Sequence, residues 1–158
     1  MSLSAELRYA LDHLRIMNRY AAYAHAVDTS DGDAYADCYT EDGWTDISSF
    51  EAARKLAAAG LVSFMDERGV IRGRENLRKA GGLVKLHHLI GNIFVRSIEG
   101  DRAKCSAYFV VFAPDDGKVE HFGRYEDELV RCADGEWRLQ THMDIALYER
   151  DRPLPPLA

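Results

Sequence analysis

Apolar residues near the start of the chain recur at helical spacing. From Leu7 they occupy positions 7, 11, 14, 17, 21 and 24, which predicts an amphipathic α-helix whose stripe faces the core. The next step along the same stripe is Asp28. A carboxylate there lies near the helix C-terminus, where the helix dipole disfavours negative charge. The pattern therefore predicts Asp28 as an inward-facing polar group.

The middle of the chain alternates short helical and extended patterns. Residues 29–43 contain two Asp-Gly turn signals that flank a predicted short helix and end it in a break. Residues 43–50 predict a first strand, and the alanine-rich stretch 51–61 predicts a helix. Residues 62–73 fit either a strand or a loop. A second short helix is predicted for residues 74–82, where two glycines end it.

The last half of the chain predicts an antiparallel meander. Between residues 87 and 150, four apolar or alternating runs are separated by turn signals at 99–101, 114–117 and 133–135. Helices that precede such a meander predict an α+β fold in which they cover one face of a curved sheet. A concave sheet closed by a long helix encloses a pocket.

Composition limits the classes of protein that remain. A chain of 158 residues with a formal charge of −6 predicts a single domain without the basic stripe that nucleic acid or an anionic membrane requires. Cysteines Cys38, Cys105 and Cys132 lack metal-site or disulfide spacing. No signal-peptide or membrane-spanning stretch is present, so a cytoplasmic location is expected. The proline-rich tail 151–158 is predicted to wrap over the surface or a partner.

The strand KLHHLIGNIFV opens with a histidine pair. Neighbouring strand residues point to opposite faces, so at least one of His87 and His88 is expected to face solvent. We assign His88 to the inner face with Ile90, Asn92 and Phe94, although the opposite face is equally apolar. An Asp beside a His fixes the imidazole tautomer and raises its basicity. His88 and Asp28 are thus predicted to form a catalytic pair.

Tyrosines on the first helix extend this constellation. Tyr20 and Tyr23 lie on or beside its inner face, where each is able to donate a hydrogen bond to a carbonyl oxygen. The alternative is that they pack with solvent-exposed hydroxyls, and that Asp28 is only a cap or turn residue. Tyr125 shares a strand face with Asp127, and His142 lies close to the end of a later strand. No HxH or HExxH spacing occurs, which disfavours a metal site.

The ordered segments YAHAVDTSDGDAYADCYTEDG, RGRENLR, HHLIGN and GRYEDELVRCADGEWRL resemble the SnoaL-like branch of the nuclear transport factor 2-like superfamily. The resemblance covers residues 5–150 and is strongest toward the branch that contains scytalone dehydratase. It implies a cone-shaped, strongly curved mixed or antiparallel sheet packed against a long N-terminal helix and shorter helices, a cystatin-like α+β roll. It also implies the dyad of Asp28 and His88, with Tyr23 beside it.

The sequence departs from the relatives at the accessory groups that define their substrates. A second histidine of scytalone dehydratase falls near Phe109, a second acid of bile acid 7α-dehydratase near Val111, and an arginine of hexachlorocyclohexane dehydrochlorinase near His142. The substrate is therefore not specified by the resemblance. Besides the three catalytic candidates, the expected substrate-binding residues are Tyr20, Asn92, Phe109, Tyr125 and His142.

These expectations favour an enzyme without a metal or other cofactor. It is expected to be a dehydratase or isomerase that removes a C–H proton from a small hydrophobic cyclic molecule. The alternatives are a non-catalytic ligand-binding or subunit module, like the small subunits of ring-hydroxylating dioxygenases, and a polyketide cyclase. Apolar residues on both faces of the strand at 87–95 predict a homo-oligomer, a dimer or trimer.

Overall fold

The computed structural model describes residues 3–83 and 85–151. The expected tail after Asp151 lies outside them. The elements, in chain order, are α1 (Leu3–Asp28), α2 (Gly32–Asp37), β1 (Tyr39–Asp46), α3 (Glu51–Ala58), β2 (Val70–Arg72), α4 (Arg74–Gly81), β3 (His87–Glu99), β4 (Arg102–Phe112), β5 (Val119–Arg131) and β6 (Trp137–Glu149). No helix in the described part of the chain is long and apolar enough to cross a membrane.

One six-stranded sheet forms the centre of the molecule. Its strand order is β2-β1-β6-β5-β4-β3, with β1 and β6 parallel and the other pairs antiparallel. The α+β class with a long N-terminal helix is therefore confirmed, as is the predicted C-terminal meander. Register irregularities interrupt the β1–β6 pair and all three meander pairs. Bulges of this kind bend strands, and α1 lies against the sheet at β3 and β6.

The buried face of α1 differs from the predicted one. Its buried residues are Asp12, Ile16, Tyr20, Tyr23, Ala26 and Val27. The predicted stripe faces solvent instead, with Leu7 and Leu14 each 58% exposed and Met17 45% exposed. The prediction was wrong because Asp12 is stabilised inside, where it accepts hydrogen bonds from the side chains of Arg131 and Trp137.

Two other expectations about local structure are wrong. The Asp-Gly pair at 42–43 does not break the chain, because both residues lie within β1. In β3, a bulge between Gly91 and Phe94 reverses the alternation of faces. Asn92, at its centre, has a φ of 50° and is solvent-exposed. Phe94 is 60% exposed while Val95 is buried, so neither Asn92 nor Phe94 lies on the inner face.

The side of the sheet turned away from α1, here called the outer sheet face, carries exposed apolar side chains beside charged pairs such as Lys104–Glu128. It exposes Leu89, Phe94, Tyr108, Phe122, Met143 and Tyr148. The rings of Phe122 and Tyr148 stack with centroids 5.3 Å apart on neighbouring strands. Both faces of the long strands therefore carry apolar side chains.

Candidate functional site

Asp28 and His88 meet where the end of α1 reaches the start of β3. The Asp28 carboxylate lies 2.5 Å from His88 Nδ1 and accepts a second hydrogen bond, at 2.9 Å, from the backbone N–H of His88. Because a carboxylate only accepts, Nδ1 carries the proton and Nε2 is left with a free lone pair. The side chain of Asp28 is 19% exposed and that of His88 is 7% exposed. Asp28 is thus bound to the strand and does not act as a helix cap.

The histidine pair divides between the two faces of β3. His87 is exposed, whereas the side chain of His88 is largely buried on the inner face. Within the described residues, Nε2 of His88 has no hydrogen-bond partner, yet it is not sealed from solvent. It is therefore free to accept a proton from another molecule.

A row of side chains crosses the inner face at the level of His88. The strand register pairs His88 with Val111 on β4, and Val111 with His121 on β5. The His121 ring packs against Phe50 and Phe109, with centroids 4.7 Å and 6.0 Å away. Burial, with a smaller contribution from His88, lowers the pKa of His121 to about 4. His121 is therefore neutral near pH 7, and it lies on the inner face.

Aromatic rings pack closely beside the dyad. Tyr23 lies between two histidines, its ring centroid 6.3 Å from His88 and 4.8 Å from His142. Tyr125 stacks on Phe109 at 4.4 Å and contacts His142 at 4.3 Å. Burial, followed by the effect of Tyr125, raises the pKa of Tyr23 well above its usual value. Tyr23 is thus a hydrogen-bond donor and not a phenolate.

A second Asp–His pair lies deeper in the interior. Asp127 on β5 is 2.9 Å from Nδ1 of His142 on β6, and both side chains are fully buried. The hydroxyl of Tyr20 donates a hydrogen bond to the other oxygen of Asp127. The carboxylate of Asp144 lies 3.8 Å from His142 Nε2, which has no hydrogen-bond partner in the described chain. We call these four residues the buried polar cluster.

Burial and mutual charge set the protonation of this cluster. Burial raises the pKa of Asp144 to about 7. Burial alone would lower the pKa of His142, but the carboxylates of Asp127 and Asp144 outweigh it and raise that pKa above its usual value. The cluster therefore binds protons at a higher pH than free aspartate and histidine side chains do.

The structure brings most of the predicted site residues together but places Asn92 apart from them. Asp28, His88 and Tyr23 are brought together, and Phe109 and Tyr125 are buried beside them. Asn92 lies outside, on the exposed bulge. The hydroxyl of Tyr20 donates to Asp127 and is buried, so it is neither exposed to solvent, as in the alternative, nor available to a substrate, as predicted.

The two carboxylates of the buried polar cluster and the position of His142 were not predicted from the sequence. His142 is fully buried within the buried polar cluster, in the middle of β6 and not close to a strand end as predicted. The signal for Asp127 was present, because it shares the inward alternation of Tyr125. Asp144 follows His142 with the same two-residue spacing. Acidic residues on an inward strand face mark a polar interior.

A family model for the SnoaL-like domain matches residues 8–142. The chain belongs to the SnoaL-like domain family. A search of curated proteins finds no significant sequence match.

Solved structures of Novosphingobium aromaticivorans proteins share the SnoaL-like fold with this chain. A candidate aromatic ring hydroxylase is 29% identical, with a TM-score of 0.64 and coverage of 88% of this chain and 91% of that one. A candidate scytalone dehydratase is 14% identical, with a TM-score of 0.70 and coverage of 93% and 91%. The beta subunit of a candidate aromatic-ring-hydroxylating dioxygenase is 22% identical, with a TM-score of 0.67 and coverage of 90% and 93%. At 14% and 22% identity, the last two likenesses concern the fold alone.

Proposed function

We propose that this SnoaL-like chain is a cofactor-independent dehydratase or isomerase that acts on a small hydrophobic cyclic molecule. The observation that carries the proposal is the contact of Asp28 with His88. The carboxylate is 2.5 Å from Nδ1 and also accepts the backbone N–H of the same histidine, so the ring is fixed in one orientation with Nε2 unpartnered. This arrangement is typical of a general base.

In the proposed reaction, Nε2 of His88 removes a proton from a carbon next to a carbonyl group. The electron pair of the C–H bond becomes an enolate, and Asp28 stabilises the imidazolium cation that forms. Tyr23, which keeps its proton, donates a hydrogen bond to the carbonyl oxygen as negative charge develops there. The enolate then expels a hydroxide from the next carbon. His88 returns its proton to that hydroxide and releases water, or returns it to another carbon in an isomerisation.

The test compares variants of the dyad with a matched neighbour. Asp28→Asn retains an oxygen that accepts the His88 N–H but removes the charge, and His88→Gln removes the base. Both are expected to lower kcat by about 10²–10⁴-fold on a panel of cyclic β-hydroxy ketones, because that is the usual contribution of a positioned acid or base. His87→Gln changes an exposed histidine one residue away and is the control.

Thermal melting of each variant separates a loss of chemistry from a loss of folding. The role assigned to the dyad is wrong if Asp28→Asn and His88→Gln turn over a panel substrate as fast as the unmodified protein.

A non-catalytic subunit is the second candidate function. Two observations favour it: the inner rings pack closely beside the dyad, and the outer sheet face exposes several large apolar side chains. A structural neighbour is named as a dioxygenase beta subunit. If the chain needs a different partner, the purified protein alone is expected to aggregate. The catalytic proposal instead expects a defined homo-oligomer built on the outer sheet face, which light scattering after size-exclusion chromatography measures.

A further inference from the structure

His121 is a histidine of the inner face that the dyad does not use. It lies two strands from His88 in the same row, with the small side chain of Val111 between them. Neighbouring strands are about 4.8 Å apart, so the two histidine backbones are separated by roughly 10 Å. This separation is comparable to the length of a molecule with one or two rings.

The surroundings of His121 are apolar, but its nitrogens are unpartnered. The ring is flanked by Phe50 and Phe109. In the described part of the chain, neither ring nitrogen forms a hydrogen bond, and neither is sealed from solvent. A polar group against an apolar wall is stabilised by a hydrogen bond, which at His121 a bound molecule is able to supply.

The protonation of His121 suits it to hydrogen bonding and not to proton removal. Burial lowers its pKa to about 4, and the nearby His88 contributes in the same direction. At neutral pH it is an uncharged imidazole with one donor and one acceptor nitrogen. His88, in contrast, is hydrogen-bonded to the carboxylate of Asp28. The inner face therefore carries two histidines with different chemistry.

We propose that His121 is a polar binding subsite that hydrogen-bonds a carbonyl or hydroxyl oxygen of a cyclic ligand whose reacting carbon faces His88. The subsite selects ligands in which that oxygen lies about one ring away from the C–H bond to be broken. This inference rests on the proposed function because it assigns the ligand class of the same site. It makes His121 a residue that determines specificity and adds no step to the proton transfer.

The test measures binding of two probes that differ by one oxygen, 2-tetralone and its hydrocarbon counterpart tetralin. Chemical-shift titration gives the Kd of each for the unmodified protein and for His121→Phe, which preserves a ring between Phe50 and Phe109. The unmodified protein is expected to bind 2-tetralone about ten-fold more tightly than tetralin, as for one net hydrogen bond. His121→Phe is expected to bind both equally, with the Kd for tetralin unchanged.

Two further variants separate recognition from structure. His121→Gln restores a hydrogen-bonding side chain and is expected to recover part of the preference for 2-tetralone, whereas His87→Phe changes an exposed histidine and is expected to keep all of it.

Three results overturn the inference: an unchanged preference in His121→Phe, an equal weakening of both probes in that variant, or no binding of either probe to the unmodified protein. Probe binding requires no turnover, so a failure of the proposed catalytic role of Asp28 and His88 is seen separately, in the kinetics of their own variants.

Discussion

Replacing Asp144 by asparagine tests the electrostatics of the buried polar cluster. Burial raises the pKa of this carboxyl from an ordinary value of 3.8 to about 7. Each pKa unit corresponds to about 1.4 kcal/mol, so ionising Asp144 inside the folded protein costs roughly 4 kcal/mol more than ionising it in the unfolded chain. Asparagine has nearly the same shape and never ionises. Asp144→Asn therefore removes this cost.

The cost appears in a defined pH window. Because the folded pKa of Asp144 lies above the unfolded one, the folded state binds the extra proton, and the associated stability is fully present below about pH 4. It is lost as the pH rises from about 4 through 7. The raised pKa of His142 acts in the same direction at higher pH, and part of that rise comes from Asp144 itself. The free energy of unfolding of Asp144→Asn is thus expected to fall less with rising pH, both between pH 4 and 7 and at the higher pH where His142 loses its proton.

Urea denaturation at intervals from pH 4 to 8.5 measures the effect. Between the ends of that range, the free energy of unfolding of the unmodified protein is expected to fall by roughly 4 kcal/mol more than that of Asp144→Asn. Asp33→Asn, which changes a carboxylate whose side chain is 88% exposed, is the control and is expected to follow the unmodified protein. Parallel curves for the unmodified protein and Asp144→Asn would refute the assignment of a raised pKa to this buried carboxyl.

Two further predictions concern packing and hydrogen bonding in the same interior. Tyr20→Phe removes the hydroxyl that donates to buried Asp127 and is expected to cost about 1.5–3 kcal/mol in urea denaturation; Tyr108→Phe, on the outer sheet face, is the control, and equal effects of the two would contradict the prediction. Gly123→Ala places a Cβ 2.2 Å from the carbonyl oxygen of Ile145 and is expected to destabilise the fold by about 1–3 kcal/mol or more. Gly91→Ala meets open space, so a similar drop in melting temperature for both glycine variants would count against the packing argument.

The helix α1 was predictable from the sequence, but its orientation was not. Aliphatic periodicity selected the stripe through Leu7 and Leu14, whereas the protein buries the side that carries Ile16 and Tyr20. Asp12 is polar and so lay outside the predicted stripe, yet it has two internal partners, Arg131 and Trp137, that only the fold supplies. Asp28 reaches His88 because it is the last residue of the helix, next to buried Val27. The predicted contact does not depend on the stripe that suggested it.

In the sheet, local alternation was reliable only as far as the first bulge. It placed His88 on the inner face and Tyr125 beside Asp127, as in the structure. After Gly91, the extra residue in β3 reverses the faces, and Asn92 accommodates it because asparagine tolerates a positive φ better than most residues. Bulges arise from pairing with a neighbouring strand, so a single segment does not reveal them.

The parallel pairing of β1 with β6 has a consequence for how the chain is made. Tyr39 lies beside Leu139, and Thr45 beside His142, so β1 is able to pair with β2 early but meets β6 only after nearly the whole chain has left the ribosome. Until then, Tyr20 on α1 lacks Asp127, its buried acceptor. The polar interior is therefore assembled last, when the final strand docks.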